Sequence, residues 1–177
     1  MIYKPIPESY WVFPGQFLAG EYPVRSNNKA VTHERLSAFL NAGFDTFIDL
    51  TIENERPPYT SILKNEATYF ELEIRHLRFS FPDFSVPSPQ MMVAALDAID
   101  AALSESRKVY LHCVGGIGRT GLVVGCYLIR HGMDPADALH HLRELYHTSL
   151  QSFIVPETPE TDAQAMFIRK WGENGLA

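Results

Sequence analysis

The sequence predicts an α/β fold, with a central mixed, partly parallel sheet flanked by helices. Three observations predict it. Short apolar runs of strand length recur along the 177 residues, and helix-length stretches with an apolar face separate them. One of those strands, residues 108–112, runs through a glycine-rich turn straight into a segment that is apolar on nearly every side, the mark of a helix buried mid-fold.

Taken in order, residues 10–13 and 17–19 are aromatic and strand-prone, split by the turn pair Pro14-Gly15. A helix over residues 33–41 would take Thr32 as N-cap and end before Gly43. Residues 44–50 (FDTFIDL) form a buried strand, residues 54–58 (NERPP) a loop, and residues 61–67 a short helix. Residues 69–79 hold one or two strands with partial alternation. Three prolines in residues 81–89 (FPDFSVPSP) impose a restricted loop. Ser88 then caps a helix with Pro89 at its first position and Met92, Leu96, Ile99 and Leu103 on one face. The buried helix covers residues 119–130 and stops at Gly132. Asp134-Pro135 starts another, with Ala138, Leu142 and Leu145 inward, and a last helix carries Ala163, Phe167 and Trp171. No repeat or low-complexity segment interrupts this pattern. The whole of residues 1–177 reads as one domain, with residues 1–30 an extended segment packed against it.

Composition narrows the function. A chain of this length buries roughly 70% of the surface its unfolded form exposes, so a core needs no disulfide or metal. Hydrophobic residues make up 46% and charged residues 20%, which excludes wholesale disorder. The formal charge of −6 disfavours nucleic acid as a partner but leaves room for a local basic pocket. Two cysteines, Cys113 and Cys126, are too few for a disulfide scaffold and form no CxxC pair, which points to a reducing, cytoplasmic setting. The start of the chain, with Pro5, Pro7 and Pro14, does not read as a signal peptide. Its longest apolar stretch, residues 121–129, is far short of the ~20 residues that cross a bilayer.

The chemistry concentrates in VYLHCVGGIGRTG, residues 109–121. A strand that feeds a glycine turn and then a helix aims backbone N–H groups and the helix N-terminus at one point, which is an anion cradle. Val114, Gly115, Gly116, Ile117 and Gly118 form its rim, and the glycines let the backbone approach an anion closely. Arg119, six residues after Cys113, has a planar fork suited to two phosphoryl oxygens at once. Cysteines in such positive settings ionise more readily than free ones, and a thiolate beside an anion cradle is a nucleophile aimed at phosphorus. A lone cysteine beside a glycine turn would more often be structural; the joint pattern argues against that here.

HCVGGIGRTG resembles the Cys-x5-Arg-Ser/Thr signature of the cysteine-dependent protein tyrosine and dual-specificity phosphatase superfamily. Its double glycine, Gly115-Gly116, is similar to the loop of kinase-associated phosphatase, where many relatives have Ala-Gly. The resemblance runs from about residue 44 to residue 171, and FLAGEYP also looks like the start of such a domain. It implies a phosphatase-type α/β fold and a two-step reaction through a phosphorylated Cys113, with no metal and no cofactor. Asp83, thirty residues before Cys113, matches the general-acid loop, and flanking Phe81, Pro82 and Phe84 would shield it from water. Should Asp83 not serve, Asp49 and Glu53 come next. The resemblance implies that the Thr120 hydroxyl bonds the sulfur and that His112 orders the loop from behind. Glu157 resembles the late loop that positions the attacking water, although Thr161 stands where a Gln is expected and the next Gln is Gln164.

Several weaker signals complete the reading. Cys126 reads as a core thiol. His140, His141 and His147 lack metal-site spacing and read as a solvated face. Val114 and Ile117 stand where lipid phosphatases of the superfamily carry lysines, which favours a phosphorylated protein or peptide over an inositol or lipid phosphate. Arg25 is a candidate substrate contact. The expectation is a monomeric phosphatase acting on phosphotyrosine, and on phosphoserine or phosphothreonine as well, without nucleic acid or membrane partners. The alternatives are a phosphate-recognition module without turnover, a lipid or inositol phosphatase, and a sulfur-transfer use of the same loop.

Overall fold

The computed structural model describes residues 3–24 and 28–173; Arg25 lies outside them. Its centre is a five-stranded sheet built from β1 (Ser9–Phe13), β2 (Phe17–Gly20), β3 (Thr46–Asp49), β4 (Arg75–Arg78) and β5 (Val109–His112), in the order β1-β2-β5-β3-β4. Only β1 and β2 pair antiparallel, joined through Pro14 and Gly15; β2, β5, β3 and β4 run parallel. The mixed, partly parallel sheet of the sequence reading is therefore the observed one.

Strand alternation divides the apolar side chains between two clusters. Val109 and Leu111 of β5 and Ile48 of β3 join the cluster under α3 (Pro89–Ser104), α4 (Gly118–Arg130), α5 (Pro135–Tyr146) and α6 (Asp162–Trp171). Tyr110 and Phe47 face the other way, toward α1 (Lys29–Asn41) and α2 (Thr60–Ala67). Because β5 is central and covered on both faces, all four of its residues are buried, as parallel strands require. The register sets Gly20, His112, Asp49 and Arg78 side by side at the carboxyl ends of four strands. In open parallel sheets that edge is where ligands bind.

Local chemistry explains most boundaries. Ser88 accepts from the Met91 N–H with Pro89 in the first turn, and Asp134 accepts from the Ala136 N–H ahead of Pro135. One helix start shifts, and two regions become definite. Helix α1 begins at Lys29, because Asn28 caps it through the Ala30 N–H; Thr32 lies one turn inside and is buried. Residues 69–79 contain only the edge strand β4, since a 3-10 turn at Thr68–Phe70 prolongs α2 and Glu71 closes it in a left-handed conformation. In α6 the inward residues are Gln164, Ala165, Ile168 and Trp171, while Ala163 is exposed. A capping box between Thr161 and Gln164 starts that helix and sets its rotation. Among the described residues, no helix is long and apolar enough to cross a membrane.

Candidate active site

Cys113 follows β5 directly and is 3% exposed, at the floor of the loop that leads into α4. The loop's outward carbonyls are each held by a different part of the chain. The Tyr22 N–H donates to the Val114 carbonyl at 2.9 Å, Gln151 Nε2 to the Gly115 carbonyl at 3.3 Å, and the Thr158 hydroxyl to the Ile117 carbonyl at 2.8 Å. In a planar peptide the C=O and the following N–H point opposite ways, so fixing these carbonyls outward turns the next amides inward. The result is visible at Gly116, whose N–H donates to Cys113 Sγ at 3.3 Å. Gly116 also needs its lack of a side chain: its φ is +73°, and a Cβ would run into the backbone of Gly20 and Glu21.

Arg119 is 1% exposed and is held by three hydrogen bonds from two loops. Glu55 accepts from Nη1 at 2.8 Å and from Nη2 at 2.7 Å, and the Phe81 carbonyl accepts from Nη1 at 3.2 Å. Nε lies 3.1 Å from Asp83 Oδ1 yet makes no hydrogen bond. The fork expected to grip phosphate is thus taken by Glu55. A guanidinium has two donor edges, and the one left to an anion is the Nε side, where a buried N–H is unpaired. Burial pulls the Arg119 pKa down, but Glu55, Cys113 and Asp83 outweigh it and raise the value. The Arg119 hydrogen bonds in turn hold Glu55 below the usual carboxylate range, against its partial burial.

Behind the cysteine lies a buried network. Burial pushes the His112 pKa down to about 4, so the imidazole is neutral. Its Nδ1 is 3.2 Å from the Cys113 carbonyl and its Nε2 2.6 Å from the Tyr59 hydroxyl. A carbonyl only accepts, so Nδ1 carries the proton and Nε2 accepts from Tyr59. Asp49, fully buried, is tied to Arg78 at 2.8 Å and to the Thr51 N–H and hydroxyl at 2.9 and 2.6 Å. Burial alone would raise its pKa; His76 at 3.4 Å, His112 and Thr51 hold it far below the usual range. Asp49 is therefore a fixed anion under the loop, not a reserve acid.

Other expectations fare differently. Asp83 reaches the site, but its side chain is 45% exposed; Phe81 turns into the core and Phe84 out to solvent, so the expected shielding is absent. The Thr120 hydroxyl is fully buried without a hydrogen-bond partner, and its bond to the sulfur is not formed. Glu157 is exposed and 3.3 Å from Arg143, away from the cradle. Glu160 stands there instead, accepting the Gly118 N–H. The sequence writes Glu-Thr twice in succession, at 157 and at 160, and the capping-box spacing from Thr161 to Gln164 marks the second as the one that opens α6. No local signal distinguishes Glu55, since its partner is 64 residues away. Cys126 is a buried free thiol in α4 whose pKa burial raises. His140 and His141 lie near Glu144, and His147 near the Pro156 carbonyl.

A family model described as Tc-R-P, polymorphic toxin system, DSP-PTPase phosphatase, matches residues 22–133, which include the loop from Cys113 to Arg119 and the Asp83 loop. The chain belongs to this DSP-PTPase phosphatase family. Within the wider superfamily, the mouse dual specificity protein phosphatase CDC14B is 29% identical over 140 residues, 75% of this chain and 26% of that one. This DSP-PTPase chain spans 58%, 13% and 48% of the first three curated relatives it matches. Among solved structures, Tk-PTP in a mutant form superposes with a TM-score of 0.74 at 22% identity, covering 97% of this chain and 99% of its own. Kinase associated phosphatase, with serine at its catalytic site cysteine, gives 0.68 at 17% identity over 91% and 88%. These likenesses show that the fold is that of protein tyrosine phosphatases.

Proposed function

We propose that this DSP-PTPase chain hydrolyses phosphotyrosine, and phosphoserine or phosphothreonine as well, in proteins or peptides through a cysteinyl phosphate. The observation that carries the reading is the Cys113 sulfur held by the inward Gly116 N–H, with buried Arg119 near enough to feel its charge and the Arg119 Nε, free of a hydrogen bond, 3.1 Å from Asp83. The Cys113 thiolate attacks phosphorus in line while the amides of the 114–118 loop and Arg119 hold the phosphoryl oxygens. Asp83 gives its proton to the departing phenolate or alkoxide. Its exposure suits a group that must meet the leaving oxygen at the mouth of the site. In the return step water takes the place of sulfur on phosphorus and the P–S bond breaks with its electron pair on Cys113; the buried Thr120 hydroxyl, which has no other partner, is the donor for that thiolate.

His112, neutral and locked between Tyr59 and the Cys113 carbonyl, fixes the loop and transfers no proton. Val114 and Ile117 bring no charge to the rim, which favours a single phosphomonoester over a polyphosphorylated headgroup. On this reading residues 1–177 act as one monomeric domain in a reducing, cytoplasmic compartment. The test is turnover of a phosphotyrosyl peptide. Wild-type protein is expected to release phosphate, and Cys113→Ser to bind the peptide without releasing any. Binding by the wild type with no phosphate release would make the chain a recognition module.

A further inference from the structure

Glu160 has no role in the reaction as described, yet it stands inside the site. Its carboxylate accepts the N–H of Gly118, the first residue of α4 and one of the amides a bound phosphoryl group would use. Burial and the charge of Asp83 raise its pKa, while the Gly118 N–H and Arg119 oppose the rise less strongly. The other group facing it is Tyr146, whose hydroxyl is engaged by the Val155 carbonyl. The segment that carries Glu160 is pinned on both flanks. Thr158 is bonded to the cradle at the Ile117 carbonyl, and Gln164 Nε2 is bonded to the Ser85 carbonyl of the Asp83 loop at 3.2 Å. Glu160 therefore sits between the cradle and the acid loop.

We propose that Glu160 is the base of the second step, taking a proton from the water that splits the cysteinyl phosphate; this rests on the reading of Cys113 as the phosphorylated nucleophile. In the first step Asp83, as the acid of the proposed reaction, gives its proton to the leaving oxygen. The incoming phosphoryl oxygen takes over the Gly118 N–H, and the freed Glu160 carboxylate faces the same phosphorus. The water oxygen then forms the new P–O bond. The P–S bond breaks with its electron pair left on Cys113. One water proton passes to Glu160 and the other stays on inorganic phosphate; Glu160 then releases its proton to solvent, from which Asp83 regains the one it gave up.

The two carboxyls then control different steps, which rapid-mixing kinetics separates. Phenyl and p-nitrophenyl phosphate differ in leaving-group basicity but give the same cysteinyl phosphate. Glu160→Gln is expected to release about one equivalent of phenol per enzyme in a burst, followed by a steady rate slowed roughly 100-fold for both esters. Acid quench should capture the phosphoryl adduct on the Cys113 peptide by mass spectrometry. Asp83→Asn is expected to show no burst and to lose more rate on the phenyl ester. Glu160→Asp, which keeps the carboxyl, should recover part of the steady rate and guards against misfolding of the amide variant. Linear release by Glu160→Gln at the wild-type rate, or a loss that follows leaving-group basicity with no adduct, overturns the role of Glu160 alone. A wild type that cleaves neither ester overturns the proposed function and this inference together.

Discussion

Gly116 offers the sharpest test of how the cradle is built, because its neighbour Gly115 is an internal control. A Cβ on Gly116 would stand 2.5 Å from Glu21 N and 2.6 Å from the Gly20 carbonyl oxygen, and closer still to the Gly20 carbonyl carbon. Comfortable carbon contacts are about 3.5–4.0 Å, so one backbone must retreat by about an ångström. Neither retreats easily, since β2 pairs with β5 at Gly20 and the Tyr22 N–H is bonded to Val114. Overpacking of this kind costs about 1–3 kcal/mol, and a left-handed φ in a residue with a side chain about 1–2 kcal/mol more. Gly116→Ala should therefore lose about 2–5 kcal/mol. At about 2–4 °C per kcal/mol for a protein of this size, that is a fall in Tm of roughly 5–20 °C. A Cβ on Gly115 would meet only the end of the Ile117 side chain, at 3.2 Å, which can rotate away. Gly115→Ala should shift Tm by no more than about 3 °C. Calorimetry of the two variants, with aryl phosphate turnover beside it, reads both effects. If Gly116→Ala melts with the wild type, or Gly115→Ala is the worse of the two, the described packing of the loop on Gly20 is wrong.

Glu55→Gln keeps the side chain's size but removes one of the two acceptors facing Arg119. A hydrogen bond to a charged group is worth about 1.5–3 kcal/mol, and partial solvent access places Glu55 at the lower end, so kcat/KM for an aryl phosphate should fall about 10-fold. An unchanged kcat/KM would remove Glu55 from the positioning of Arg119. Acid should destabilise the protein in two stages. The folded state holds His112 neutral down to about 4, so its contribution is full above about 6.5 and is lost as pH falls below that, by roughly 3 kcal/mol in all. Asp49, held ionised, keeps its contribution down to about pH 4 and loses it below. In urea melts, His112→Asn should abolish the first stage and leave the second. A stability flat between pH 7 and 5 in the wild type would refute the assignment of a neutral His112.

Elements whose signals are local could be read from the sequence. Ser88-Pro89 and Asp134-Pro135 carry their own caps, Pro14-Gly15 its own turn, and the run after Gly118 is apolar on all sides because it is buried on all sides. Where two caps compete the sequence is ambiguous, as at Asn28 and Thr32 or at the twin Glu-Thr pairs, and the choice falls to packing. The order of residues between Cys113 and Arg119 was equally informative, because a strand, a glycine turn and a helix must be contiguous to aim their amides at one atom.

The chain alone therefore determined the fold class and singled out Cys113, Arg119 and the Asp83 loop, which the structure brings together; all of these signals depend on neighbours in sequence. Only the tertiary structure decided that Glu55 occupies the Arg119 fork, that Asp49 lies under His112, and that Glu160 in place of Glu157 enters the site. Those contacts join residues far apart along the chain. They exist because parallel strands bring their carboxyl ends to one edge, a consequence of sheet register that no local pattern encodes.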